Sequence, residues 1–145
     1  MLDRLVGHGG ERHDDLGIEL RPGALSAGEF ALIAQHPVIG SEILRDVDFL
    51  GEGKLVVRHH HERWDGTGYP DRLAGDDIPL AARVFAVADA LDALTTDRPY
   101  RRGTRFARAR QEIRSHAGSQ FDPDVVAAFE TIPDDTFSTL REGNA

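Results

Sequence analysis

Apolar residues along the chain recur at the three- and four-residue spacing of helices, and no alternating strand pattern competes with them. Phe30, Leu32 and Ile33 give one apolar face that ends at His36. It starts behind Ser26, with Glu29 three residues on, the arrangement of a capping box. Pro37 breaks that helix and opens another through Val38, Ile39, Ile43 and Leu44, with Gly40 expected at a close helix contact. Residues 46–53 read as a connector, and a helix from about Glu52 runs up to His59, His60 and His61. Residues 62–79 read as a long irregular loop, with glycines at 66, 68 and 75 and prolines at 70 and 79. The stretch from Leu80 to Thr95 is apolar nearly all round, which predicts a central helix buried on every side, Phe85 and Val87 included. A further amphipathic helix is expected over 104–116, with Phe106, Ala107, Ala109 and Ile113 inward. Asp122 as N-cap and Pro123 behind it open a last helix, whose stripe is Val125, Val126, Ala127 and Phe129. The expectation is an all-α bundle over 21–132, between an irregular leader (1–20) and a polar, frayed tail (133–145).

Composition narrows what such a bundle can do. At 145 residues the chain is one domain, and 40% hydrophobic with 29% charged residues is ordinary for a globular protein. There is no cysteine, so any metal must sit on His, Asp and Glu. A formal net charge of −8 argues against binding a nucleic acid polymer. No apolar run is long enough to span a bilayer and the first residues form no signal peptide, so a cytoplasmic location is the default. A phosphate ligand would need a metal or a local cluster of arginines.

Both exist in pattern. His59-His60-His61-Glu62 packs metal-ligand atoms densely and runs into Trp64-Asp65-Gly66-Thr67-Gly68-Tyr69-Pro70, where glycine and proline supply turn chemistry. Asp89 and Asp92 lie three apart in the apolar helix, on neighbouring positions of one face. A buried ionised carboxylate is costly unless it is paired or bound to metal, so Asp89 needs a cation. Arg83 is on another face, and Arg98 and Arg101 follow the helix end in a small basic island, Asp97 to Arg102. The bland alternatives are a solvated histidine run, a His36 that merely ends a helix, and an Asp89 paired to a histidine without metal.

The string His60-His61-Glu62-Arg63-Trp64-Asp65-Gly66-Thr67-Gly68-Tyr69-Pro70 resembles the signature of the HD-GYP family. A second block agrees in order: Ile78-Pro79-Leu80-Ala81-Ala82-Arg83, then Val87 to Thr95, then Asp97-Arg98-Pro99-Tyr100-Arg101. The resemblance covers about 20–129. It implies a helical phosphohydrolase of the HD type that hydrolyses cyclic di-GMP in bacterial second-messenger signalling, using divalent Fe, Mn, Zn or Ni, two or more ions in an intact member. Carried over residue by residue, it implies His36, His60, His61 and Asp89 as metal ligands, with His60, His61 and Asp89 catalytic. Arg98 and Arg101 match phosphate-contacting positions, Asp92 a contact to guanine or to an outer-shell histidine, and Tyr69 the pocket wall. The 62–79 loop is a candidate docking surface for a signalling partner.

The chain also departs from the family pattern. The His-Asp dyad should fall near Gly7 and His8, where neither residue fits. His13-Asp14 lies too close to the Arg21-Pro22-Gly23 turn and lacks the following glycine-lysine pair. The expectation is a domain whose first helices are missing or degenerate, with exposed apolar faces that invite a homodimer or a partner. On that view the alternative to an enzyme is a module that binds cyclic di-GMP or a signalling partner without turnover.

Overall fold

The structure is a computed structural model, and it describes residues 26–97, 103–133 and 135–137. Among the described residues six α-helices follow one another: α1 (Ala27–Ile33), α2 (His36–Ile43), α3 (Gly53–His59), α4 (Leu80–Thr95), α5 (Phe106–Ser115) and α6 (Pro123–Glu130). Single 3₁₀ turns sit at Asp48–Leu50 and Gly75–Asp77, and no strand occurs among the described residues. The His13-Asp14 pair, Arg98 and Arg101 lie outside the described residues.

The helix ends follow local chemistry. Ser26 caps α1 through a full capping box with Glu29. Pro37 sits in the first turn of α2, where its missing N–H costs nothing. The Asp122 carboxylate accepts from Asp124 N and Val125 N, and Pro123 begins α6 behind it.

α4 is the axis of the bundle and packs against α3, α5 and α6. The core joins Val87, Ala90 and Leu94 of α4 to Ala109 and Ile113 of α5, Phe121, and Val126 and Phe129 of α6. Ala90 and Ala109 are fully buried, so the small side chains sit in the core between larger ones. On the other side, a Cβ at Gly40 would come within 2.9 Å of Val57 Cγ1, so glycine there lets α2 lie close against α3.

Two expectations about facing are corrected. α4 is not buried all round: Val87 is 3% exposed, but Leu80, Val84 and Phe85 are 59%, 50% and 45% exposed. Its neighbours cover only part of its surface, and an apolar sequence cannot say which part. Ala107 and Ala127 likewise face outward, because α5 and α6 meet the core through Ala109, Ile113, Val126 and Phe129 instead. Phe137 stacks on Phe106 at 4.3 Å and packs against the core.

Candidate metal centre

His36 begins α2, and His60 and His61 follow the last turn of α3. The His36 Nδ1 lies 2.7 Å from the Ile33 carbonyl oxygen. A carbonyl only accepts, so the proton sits on Nδ1 and the lone pair is on Nε2. His60 is locked in the same tautomer by Val57 O at 2.9 Å and Val56 O at 3.2 Å. His36 Nε2 and His61 Nε2 stand 3.1 Å apart, and one nitrogen from each of the three rings lies within 4.8 Å of the others. Neighbouring donors around a first-row ion at about 2.0–2.1 Å have about this spacing. The backbone carbonyls behind His36 and His60 are the outer partners that hold ligand rings in place.

Electrostatics favour the same form. Burial pushes the His60 imidazole below its ordinary range, and nearby His36 adds to this against the pull of Val57, Val56 and Asp89. His60 is therefore neutral near pH 7, the state a metal ligand requires. Tyr69 stacks on His61 at 4.9 Å and meets the edge of Phe30. Its hydroxyl, buried and near the Asp89 charge, is pushed up to about 12 and stays protonated as a donor.

Asp89 is half-buried, not deep in the core. It shares a cavity of about 20 Å³ with His60, His61, Glu62, Arg63, Ala86 and Gln120. It does not join the three imidazoles within 4.8 Å. Yet no hydrogen bond or ion pair reaches its carboxylate among the described residues, and its negative charge acts on His60 and Tyr69. Three imidazole nitrogens and a carboxylate with no ion pair among the described residues form a donor set that fits a divalent transition ion. Asp92 is exposed and accepts from Thr96 Oγ1 at 3.0 Å, with no histidine contact among the described residues. Gly103 N donates to the Asp97 carboxylate at 2.6 Å and Thr104 N to Leu94 O at 2.8 Å, so Gly103 and Thr104 lie at the C-terminal end of α4.

The residues after His61 shape the site instead of adding to its ligands. Glu62 turns away, its carboxylate accepting from Asp71 N at 2.7 Å and Leu73 N at 3.1 Å. Arg63 is buried and fans out to Asp65, Thr67 and Gln120 Oε1, the last at 2.8 Å. Trp64 N and Asp65 N donate to Gln120 O and Ser119 O, so the loop is stitched to the turn before α6. The Arg83 guanidinium lies over Trp64 and bonds Asp122 at 2.7 Å. Gly68 passes flush against the backbone of 61–63, where a Cβ would come within 2.4 Å of Arg63 N. Gln120 is not among the site residues expected from the sequence. Its only signal was its position beside Phe121-Asp122-Pro123, a string that by itself says only helix start.

Residues 16–125 match the HD domain family. The chain is similar to the cyclic di-GMP phosphodiesterase response regulator RpfG of Xanthomonas campestris, 43% identical over 75% of this chain and 29% of that protein. It is also similar to a 3'3'-cGAMP-specific phosphodiesterase of Vibrio cholerae, 40% identical over 73% of this chain and 21% of that one. The fold is similar to that of a solved cyclic GMP-AMP specific phosphodiesterase of Vibrio cholerae, with a TM-score of 0.59 at 24% identity over 73% of this chain and 24% of the other. The chain thus spans less than a third of the length of the relatives it matches. No helix among the described residues is long and apolar enough to cross a membrane. With the match over 16–125, the Gly-Tyr-Pro string and the clustered imidazoles in one helical frame, the chain belongs to the HD domain family, in its HD-GYP branch.

Proposed function

We propose that this chain is the hydrolytic domain of a metal-dependent phosphodiesterase that acts on cyclic di-GMP. The observation that carries the reading is the set of three imidazole nitrogens gathered within 4.8 Å beside the unpaired carboxylate of Asp89. His36, His60, His61 and Asp89 would hold divalent Fe, Mn, Zn or Ni; a second ion requires ligands beyond these four. A divalent ion bound there supplies charge compensation for a phosphodiester and acidifies water at neutral pH.

The protein's own groups do the rest. The Ile33, Val56 and Val57 carbonyls keep His36 and His60 aimed at one point. Tyr69, stacked on His61, carries a protonated hydroxyl able to donate to a phosphate or sugar oxygen. Arg98 and Arg101, which follow α4 in the sequence, would give guanidinium contacts to phosphate that a lysine does not reproduce. Asp92, exposed three residues past Asp89, would accept from a guanine edge.

The test is hydrolysis of cyclic di-GMP by purified protein loaded separately with each of the four metals. Turnover is expected with at least one of them, and His61→Ala abolishes it while leaving nucleotide affinity. Arg98→Ala weakens binding by about 1.5–3 kcal/mol, the usual worth of a charged hydrogen bond. Wild type that binds but never hydrolyses with any of these metals is a binding module and not an enzyme. The similarity to a 3'3'-cGAMP-specific relative gives a second substrate reading, so the same assay takes that dinucleotide in parallel.

A further inference from the structure

We infer that His59, Glu62 and Asp71 form a second divalent-cation site, distinct from the three-imidazole cluster, which fastens the loop after His61 to the end of α3. Successive helical residues point about 100° apart, so His59, the last residue of α3, faces away from His60 and His61. Its ring is buried at 8% exposure, and its Nδ1 has no hydrogen-bond partner. That nitrogen lies 3.5 Å from Asp71 Oδ2 and 3.9 Å from Glu62 Oε1, and one donor atom from each of the three residues lies within 4.8 Å of the others.

Neither tautomer of His59 suits this setting by itself. With a proton on Nδ1, a buried donor stops short of both acceptors. With a lone pair there, it faces two carboxylates. A divalent cation between the three groups takes the lone pair of the second tautomer and offsets both carboxylates, so it removes the cost there. Glu62 has capacity to spare: each oxygen takes one backbone N–H, from Asp71 and Leu73, and keeps a second lone pair. Arg58 donates to both oxygens of Asp71 at 2.8 Å, which fixes that carboxylate toward His59, while its positive charge tempers the affinity. One imidazole with two carboxylates is a donor set for Zn or Mn. Asp71 follows Tyr69 by two residues, so an ion here braces the loop that stacks Tyr69 on His61.

The experiment strips the full chain of metal, dialyses it against Zn²⁺ and counts zinc per chain. Wild type is compared with His59→Phe, Asp71→Asn, His36→Ala and the double variant His36→Ala/His59→Phe. Circular dichroism confirms that each retains its helices. His59→Phe and Asp71→Asn are each expected to carry one ion fewer than wild type. His36→Ala is expected to retain a zinc that the double variant loses. A wild-type zinc count in both His59→Phe and Asp71→Asn overturns the proposal. If His59→Phe does not fold, Asp71→Asn, at a half-exposed side chain, decides alone. Failure of the hydrolytic reading appears separately, as absent turnover in a protein that still holds the His59-dependent ion.

Discussion

The two ends of this bundle are held together by different forces. Around α4, α5 and α6 the residues that matter are apolar and dry: Ala90, Ala109 and Ile113 are at 0% exposure and Phe121 at 1%. Around α1, α2 and α3 the only buried residues within the helices are Pro37 and His59, while Ile43 and Phe49 stand 74% and 88% exposed. That end is ordered by caps, by carbonyls gripping imidazoles and by the polar latches of Glu62, Arg63 and Asp65. A hydrophobic core tolerates no ion and gives the site its frame. The polar end gives up apolar burial, and with it stability, to keep ligand nitrogens turned toward one point.

The contrast can be broken first at the core. Phe121→Ala removes a buried aromatic from the centre of the packed end and is expected to cost about 3–5 kcal/mol. Phe49→Ala, at the exposed position, should stay within about 0.5 kcal/mol of wild type. Urea unfolding midpoints measure both, and equal losses would mean that the two ends share one core. The second probe is metal removal. If the imidazole cluster is occupied, free ion at 100 times its Kd stabilises the native state by about 2.7 kcal/mol. Chelation should then speed amide exchange in α2 and α3 far more than at Ile113 in α5. Uniform acceleration across all six helices would erase the distinction.

The smallest effect is acid sensitivity. Burial alone would raise the Asp65 carboxyl, but bonds from Arg63 and Thr67 outweigh it and hold the group down to about 2. A carboxyl held below its unfolded value stabilises the fold above that value, near ~3.9, and the contribution disappears as pH falls through about 2. Glu62 acts in the opposite sense, since burial holds its carboxyl above the usual range. Asp65→Asn should therefore lose on the order of 1–2 kcal/mol at pH 7 and much less at pH 2. Thermal melts at the two pH values check this, and a pH-independent loss would mean that the contribution is packing and not charge.

The sequence by itself determined whatever is written in local chemistry. Ser26 with Glu29, Pro37, and Asp122 with Pro123 fix helix starts because cap side chains meet backbone groups only two or three residues away. Leu80–Thr95 is bounded by Pro79 before it and lacks any internal breaker, so the helix can be placed from composition. The Gly-Tyr-Pro string marks the family because its glycine, Gly68, answers to the backbone of residues 61–63 that it touches directly.

What only the tertiary structure decided is which faces are covered and which distant groups meet. Hydrophobicity drives Leu80, Val84 and Phe85 inward wherever a neighbour offers cover, and no neighbour among the described residues fully covers them. Asp89 and Asp92 look alike in sequence, yet one shares a cavity with His60 and His61 while the other is exposed. His36 reaches His61 across 25 residues and Arg63 reaches Gln120 across 57, separations over which no local rule acts. Those contacts exist because the helices and the loops between them pack in one particular way, and packing is a property of the whole chain.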